Sequence, residues 1–324
     1  FNYYKYIYIN VWVLNKIVTN MKKEIIGIFG GSGFVGLELV SLLCKSGYKI
    51  KIFSRNAPSN KSLNLIGELG QVTSFSGNVN NAEEVERFII NCDIIINLVA
   101  LFYEFGKQNF KNIHVDAPIL IAKYSNKHKI KHLIHISDRW ADENSISKSS
   151  QSRGIAERSV KETFNKTTIV RLDVLFGKND GLFFRFSKII KLLPIIPLPL
   201  ESRAIFAPLF VKDVSLAVKK IIENENFHGK SFELFGPKSY SWNELMKYFQ
   251  KTIKSKIYLL PIPIFLLSVP AFFFSYLPNP LITVDQLRRF KVKISHNSDN
   301  LVLDDLNIKP STLEIEMQKY LKNF

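Results

Sequence analysis

Short apolar segments alternate with amphipathic segments along the first half of the chain. Apolar runs predict six buried strands, at residues 24–29, 48–53, 71–75, 93–98, 132–136 and 168–172. Apolar residues at helical spacing predict helices at residues 34–45, 82–90, 113–128 and 149–163. Strands that alternate with helices and are apolar throughout are typical of a parallel sheet covered on both faces. We therefore predict an α/β fold with a Rossmann-like, doubly wound parallel sheet.

The first twenty residues differ from this pattern. They precede the first methionine, Met21, and contain no acidic residue. Their apolar run is too short and too interrupted by polar residues to span a membrane. We expect residues 1–20 to be translated upstream sequence, with a weak N-terminal anchor as the alternative.

A long apolar segment at residues 257–277 resembles a membrane span in length. Pro261, Pro263 and Pro270 interrupt it, which disfavours an uninterrupted membrane helix. We predict a short helix over residues 264–276, kinked at Pro270, with three alternatives: a buried helix, a partner surface, or a segment at a membrane interface. Four basic residues follow: Arg288, Arg289, Lys291 and Lys293. Basic residues beside an apolar helix favour anionic lipid head groups.

The composition is that of a globular protein, with 46% hydrophobic and 22% charged residues. The two cysteines, Cys44 and Cys92, form no Cys-x-x-Cys pair, so we predict neither a disulfide framework nor a cysteine metal site. The formal charge is +16, from 44 basic and 28 acidic residues. Because no basic block is interleaved with aromatics, we predict no nucleic-acid binding; compositional drift and an anionic surface remain as explanations.

The loop after the first predicted strand carries a glycine pattern. Gly30, Gly33 and Gly36 fit G-x-x-G-x-x-G, and Gly31 with the last two also fits G-x-G-x-x-G. Between a strand and a helix, such glycines allow a tight turn and a close approach of the backbone to a pyrophosphate. The anion then lies on free N–H groups at the helix N-terminus. The pattern predicts a dinucleotide site.

The end of the second predicted strand indicates which dinucleotide. A site that prefers NAD carries Asp or Glu there, to bind the ribose 2′-hydroxyl. This chain has Ser54, Arg55 and Asn56. Because a guanidinium can pair with a 2′-phosphate, we predict that NADP(H) is favoured over NAD(H).

At this point the chain resembles a known family. The pattern at residues 30–36 and the segment 97–104, followed by Phe110 and His114, are similar to those of the atypical extended short-chain dehydrogenase/reductases. The resemblance is greatest to the branch that contains subunit nine of the alpha subcomplex of respiratory complex I and its alphaproteobacterial relatives. Later segments agree, at residues 171–177, 183–186, 208–214, 232–237 and 281–286.

The resemblance implies a domain division and a set of nucleotide-binding residues. It implies a Rossmann domain at residues 21–177 and a mixed lobe at 178–324 whose strands and helices return to the sheet. The implied pyrophosphate residues are Gly30, Ser32, Gly33, Phe34, Val35 and Gly36. Arg55 is implied at the 2′-phosphate. Asn78 and Val79 are implied beside the adenine, and Leu98, Val99 and Ala100 below the adenosine ribose.

The catalytic positions depart from the family pattern. Active relatives use Tyr-x-x-x-Lys on the helix after the fifth strand, with a Ser or Thr at the end of that strand. Ser137 fits the serine position, but Ser149 stands at the tyrosine position and Arg153 at the lysine position. A serine hydroxyl cannot replace a phenol with a pKa of about 10. Arg153 can keep a ribose contact but cannot share a proton.

Other candidate side chains carry weaker signals. A Tyr-x-x-x-Lys does occur at Tyr103 and Lys107, but it follows the fourth strand and contains the helix-weakening Gly106. We keep Tyr103 as an alternative proton donor. We interpret His114 as a capping or packing residue. His132 and His135 would point to opposite faces of a strand, so we predict no metal site.

Three functions remain open. The first is an NADP(H)-binding, non-catalytic accessory or assembly protein of complex I. It would be cytoplasmic and peripheral on the inner membrane, on the matrix side in an organelle. The second is an active reductase, epimerase or dehydratase acting on a quinone, lipid or sugar nucleotide. The third is a nucleotide-ratio sensor. The replaced Tyr/Lys pair favours the first and third.

Overall fold

A computed structural model describes residues 24–55, 63–178, 195–253, 258–294 and 298–321. The predicted extension at 1–20 and the segment 183–186 lie outside these ranges. The first six strands are β1 Ile25–Phe29, β2 Lys49–Ser54, β3 Val72–Ser76, β4 Ile94–Asn97, β5 His132–Asp138 and β6 Thr167–Leu172. The helices between them are α1 Phe34–Lys45, α2 Ala82–Ile89, α3 Ala117–Lys127 and α4 Lys148–Thr163. A π-helical segment, Lys111–Asp116, leads into α3.

The strands form the parallel sheet that the sequence predicted. The next described elements are five strands and one α-helix: β7 Leu175–Phe176, β8 Ile195–Pro199, β9 Ile205–Phe206, β10 Leu209–Phe210, α5 Val211–Ile222 and β11 Ser231–Leu234. The sheet order is β3-β2-β1-β4-β5-β6-β11, and every pair is parallel. The carboxyl ends of all its strands therefore lie along one edge, where ligands bind in open α/β sheets.

Apolar side chains pack on both faces of the sheet, as near-continuous apolar strands require. Leu39 and Leu43 of α1 pack with Val214 and Val218 of α5 on one face. The other face is covered by α2, α3 and α4, with Phe88 among its buried residues. These layers hold the carboxyl edge of the sheet in a fixed position.

The remaining elements form the lobe. They are β12 Tyr240–Ser241, α6 Trp242–Thr252, β13 Tyr258–Ile262, α7 Ile264–Phe274, α8 Val284–Phe290 and α9 Leu313–Leu321. Short strand pairs tie its segments together: β7 with β10, β8 with β13, and β9 with β12. An apolar cluster containing Phe206, Trp242 and Phe249 forms its core.

Helix α7 is the predicted helix with Pro270 inside it, and it is buried on one face only. Ile264, Leu267 and Ala271 pack against Leu287 of α8. The outward residues are Phe265, Leu266, Val269, Phe272, Phe273 and Tyr276, all exposed. The interpretation of this segment as a buried helix is therefore wrong for most of its surface. Among the residues that the structure describes, no helix is both long and apolar enough to cross a membrane.

Candidate nucleotide-binding site

The turn after β1 is a tight main-chain loop. Gly30 has φ of +79°, a conformation that L side chains rarely adopt. Its N–H donates to the Phe53 carbonyl at 2.8 Å, and its own carbonyl accepts from the Gly33 N–H at 3.0 Å. A Cβ on Gly30 would lie 3.3 Å from the carbonyl carbon of Leu98. The turn thus closes against the loop after β4.

The start of α1 lies directly on this turn. A Cβ on Gly36 would lie 2.5 Å from the carbonyl carbon and oxygen of Gly31, so only glycine fits there. The side chains of Phe34 and Val35 pack against the lobe core. Only the main-chain groups of these two residues therefore remain at the start of the helix. Ser32 lies in the turn between them and Gly30.

The N-terminus of α1 is suited to an anion. Gly33 is its N-cap, no side chain caps the helix, and the first turn contains no acidic residue. The helix dipole places roughly half a positive charge at this end. A pyrophosphate would meet main-chain N–H groups and no repelling carboxylate, so these residues fit an NAD(P)H. A bound NAD(P)H would supply a hydride at its nicotinamide.

The predicted adenosine-binding residues lie along the same edge of the sheet. Arg55 follows β2 directly and is exposed, and its carbonyl accepts from the Ser76 hydroxyl at 2.9 Å. Asn78 follows β3, and its N–H donates to Glu84 at 2.6 Å. Val79 packs against the core on the α2–α4 side of the sheet.

The loop after β4 is held by main-chain and side-chain contacts. The Leu98 N–H donates to the Phe29 carbonyl at 2.9 Å, and the Val99 N–H donates to Oδ1 of Asn97 at 3.1 Å. Ala100 is exposed beside them. The structure thus brings the predicted nucleotide residues together at one edge of the sheet.

The two serines at the family's catalytic positions are both buried. The Ser137 hydroxyl donates to Glu157 of α4 at 2.5 Å, and Glu157 also binds Arg171 at 2.6 Å. Burial raises the pKa of Glu157, although Arg171 and Ser137 oppose this effect. Ser149 is 3% exposed. Neither serine position supplies a phenol, and the Ser137 hydroxyl is engaged within the protein.

Arg153 lies nearby as a buried cation. Its side chain is 11% exposed, and its Nε is 3.9 Å from Oδ2 of Asp138. Nη2 donates to the Leu101 carbonyl at 3.4 Å. Burial lowers the pKa of Arg153, while Asp138 raises it. Arg153 therefore joins the end of β5 to the loop after β4.

Two lobe residues that the sequence analysis did not place in the site reach it from α8. Asp285 accepts from the Ser147 hydroxyl at 2.9 Å and from the N–H groups of Lys148 at 2.7 Å and Ser149 at 3.2 Å. It therefore caps α4 from another part of the chain. Arg289 binds Asp138 at 2.8 Å. Arg289 is one of the four basic residues that follow the apolar segment, and it thus faces inward. In the sequence, the only indication of a role for Asp285 was its place in the segment 281–286, which resembles the family.

The other candidate side chains have structural contacts. The Tyr103 hydroxyl donates to Asn279 at 2.7 Å, and Gly106 has φ of +59°, so Tyr103 and Lys107 do not share a helix face. His114 accepts from the Leu101 N–H at 2.9 Å and contacts the Ser152 hydroxyl at 2.9 Å. Burial lowers the pKa of His114 to about 2. It is therefore a neutral residue that packs the loop after β4 against α4.

No group of three or more His, Cys, Asp or Glu side chains able to hold a metal ion occurs in the described part of the chain.

Known proteins match both the sequence and the fold. A family described as NAD(P)H-binding matches residues 30–181. NADH dehydrogenase (ubiquinone) 1 alpha subcomplex subunit 9, mitochondrial, of Mus musculus is 27% identical over 297 residues, which are 91% of this chain and 79% of the mouse protein. The NADH-ubiquinone oxidoreductase 40 kDa subunit of Neurospora crassa is 24% identical over 92% of this chain and 78% of the Neurospora protein.

A solved structure extends the match to the whole fold. A nucleoside-diphosphate-sugar epimerase from Staphylococcus aureus superposes with a TM-score of 0.70 at 15% identity, covering 92% of this chain and 99% of the epimerase. At this low identity, the match to the epimerase shows the fold alone. The glycine turn, the family match and the relatives agree on an NAD(P)H-binding domain, and the chain is similar over most of its length to the alpha subcomplex subunit 9 proteins.

Proposed function

We propose that this protein is an NADP(H)-binding, non-catalytic accessory or assembly subunit of respiratory complex I, peripheral at the membrane. The observation that carries the proposal is a complete glycine turn beside a catalytic edge with Ser149 and Arg153 in place of Tyr and Lys. Relatives named as subunits of NADH-ubiquinone oxidoreductase support the assembly with complex I.

The preference for NADP(H) rests on Arg55. It lies at the carboxyl end of β2, exposed, beside the position where a carboxylate would bind a ribose 2′-hydroxyl. A guanidinium is suited to a 2′-phosphate and offers no acceptor to a hydroxyl.

The peripheral location rests on the exposed face of α7, defined as Phe265, Leu266, Val269, Phe272, Phe273 and Tyr276. No Asp, Glu, Lys or Arg occurs in the sequence from residue 257 to residue 284. Exposed Arg288, Lys291 and Lys293 follow this face. Apolar and basic residues in this order suit the boundary between acyl chains and anionic head groups.

Purification from the native membrane tests the assembly. We expect the protein to co-migrate with complex I subunits on a native gel and to leave the membrane at alkaline pH, as a peripheral protein does. Migration as a free protein in gently solubilised membranes would contradict the role as a subunit.

A vesicle assay tests the membrane contact separately. We expect the protein to pellet with phosphatidylserine-containing vesicles at low salt and to be released at high salt. Phe272→Asp with Phe273→Asp should abolish pelleting, because carboxylates on this face would enter the head-group layer. Leu69→Asp, at an exposed leucine outside the lobe, is the control and should pellet normally. Equal pelleting of both variants would assign the apolar face of α7 to another partner.

A further inference from the structure

The charge on Arg153 is poorly compensated by the protein. Its side chain is almost entirely removed from water, yet Nε has no hydrogen-bond partner among the residues that the structure describes. Nη2 makes one long contact, 3.4 Å, to the Leu101 carbonyl. An ionised group in such a position is costly unless it is paired and hydrogen-bonded.

The nearest carboxylate is already engaged. Asp138 lies 3.9 Å from Nε of Arg153 but binds Arg289 through both carboxylate oxygens, at 3.1 and 2.8 Å. Its Oδ1 also accepts from the Trp140 N–H at 2.8 Å. Two guanidinium groups therefore share one carboxylate, and Arg289 holds the better geometry.

The other titratable groups around Arg153 do not offset its charge. Glu157 is bound to Arg171 and to the Ser137 hydroxyl. Burial lowers the pKa of His114 to about 2 and that of His135 to about 4, so both rings are neutral. Asp285 of α8 accepts from donors at the start of α4. Asp138, Arg153 and Arg289 together carry one net positive charge, which a neutral ribose could hydrogen-bond but could not neutralise.

The surroundings of this charge are apolar toward the lobe. Phe102, next to Leu101, is 71% exposed, and its carbonyl accepts from Gln286 of α8 at 3.4 Å. The Tyr103–Asn279 bond places the same loop against the segment that follows α7. Leu281 in that segment is also exposed. Exposed apolar side chains thus lie on the loop that contacts Arg153 and on the segment bound to that loop.

We propose that Arg153, with Arg289 beside it, binds a carboxylate or phosphate group carried on a small apolar body. The site goes beyond the proposed accessory function and does not require a bound nucleotide. An anion at Arg153 would pair with the free Nε and restore charge balance, and the apolar body would cover Phe102 and Leu281. No chemical step is involved.

Calorimetry with four probes tests the site on the full chain without nucleotide. The probes are octyl phosphate, octanoate, octanol and inorganic phosphate, below any micelle-forming concentration. We expect octyl phosphate and octanoate to bind, and octanol to bind at least tenfold more weakly. Inorganic phosphate distinguishes the source of the anion. Weaker binding than octyl phosphate supports an amphiphile, and equal binding would overturn the apolar body of the proposal in favour of a free anion at the same arginine.

Variants on one helix locate the binding. Arg153→Met should weaken octyl phosphate at least tenfold, whereas Arg153→Lys should recover part of the loss. Arg158→Met, on the same helix but exposed and paired with Glu143 at 2.8 Å, is the matched control and should bind as the unmodified protein does. Circular dichroism checks that each variant is folded. Equal binding of octanol, equal binding by Arg153→Met, or no binding by the unmodified protein would overturn the proposal. NADPH binding, measured separately, reports on the proposed function alone.

Discussion

The two sides of the nucleotide cleft depend on different parts of the polypeptide. On the phosphate side, the turn after β1 presents main-chain groups, and its glycines are required by close approach, as at Gly36. On the catalytic side, the end of β5 and the start of α4 present side chains: buried serines and a buried arginine. The first side keeps the family pattern and the second does not.

The difference indicates that nucleotide binding and proton transfer depend on separate parts of the site. Main-chain N–H groups and a helix dipole bind an anion whatever the neighbouring side chains are. Proton transfer requires a group of suitable pKa at one position. We therefore expect a chain without the tyrosine to lose proton transfer and to keep the turn suited to the nucleotide. Each prediction below tests one side against the other.

The largest expected effect concerns turnover. With Ser149 and Arg153 at the catalytic positions, we expect NADPH oxidation no faster than background with quinone, aldehyde, ketone or sugar-nucleotide substrates. General acid–base help of this type contributes roughly a hundred- to ten-thousand-fold in rate. The decrease in absorbance at the reduced-nicotinamide band measures the rate of NADPH oxidation. A melting temperature raised by NADPH would show that the nucleotide nevertheless binds.

Two variants define what would contradict this prediction. Ser149→Tyr with Arg153→Lys restores the family pair and should give slight activity if the cleft admits a substrate. Turnover by the unmodified protein that is lost in Tyr103→Phe would break the comparison, because it would move the proton donor to the loop after β4.

The second prediction tests the phosphate side. Gly33→Asp should weaken both NADPH and NADH at least a hundredfold, about 2.7 kcal/mol, because it places a carboxylate at the anion-binding end of α1. Gly33 has φ of −80°, and a Cβ there would meet only the Gly30 carbonyl, at 3.3 Å, so the fold should tolerate the change. Gly33→Ala is the control for the size of the side chain, and it should bind both nucleotides more tightly than Gly33→Asp does. Equal affinity of the two variants would mean that charge at this end of α1 does not matter.

Sequence patterns predicted the phosphate side better than the catalytic side. Helix α1 has its predicted bounds because local apolar spacing and the flanking glycines define it. The resemblance implied that strands of the lobe return to the sheet, but the apolar pattern did not locate β11, because Glu233 lies within it, buried and bound to Arg139 at 2.7 Å. Asp285 and Arg289 contact groups more than 130 residues away, and no local spacing reports such pairs.

The third prediction concerns acid stability on the catalytic side, where His114 is buried. Because the folded pKa of His114 is about 2 and the unfolded value is 6.5, only the unfolded state gains this proton below pH 6.5. Its contribution to stability should therefore fall by about 1.4 kcal/mol per pH unit as the pH drops from 6.5.

Urea unfolding at pH 6.5 and 4.5 measures this dependence. His114→Gln keeps an acceptor for the Leu101 N–H but does not titrate, so it should lose about 2.3 kcal/mol less than the unmodified protein over this range. Burial also lowers the pKa of His132, to about 3, and of His135, to about 4, so part of the pH dependence should remain. An unchanged slope in His114→Gln would show that this ring is protonated in the folded protein.

The smallest expected effect is selectivity between the two nucleotides, which sharpens the description of the phosphate side. On the phosphate side, Arg55 is the one proposed contact made by a charged side chain. We expect NADPH to bind at least tenfold more tightly than NADH, about 1.4 kcal/mol, a modest contribution for one charge-assisted pair. Arg55→Gln should remove this difference by weakening NADPH alone, because NADH carries no 2′-phosphate and its other contacts are main-chain groups. Calorimetry with both nucleotides measures the ratio of the two affinities. Lys49→Gln, at the exposed opposite end of β2, is the control for the loss of one positive charge. A preference for NADPH that survives in Arg55→Gln would transfer the 2′-phosphate contact to another residue, and equal affinities in the unmodified protein would remove the preference itself.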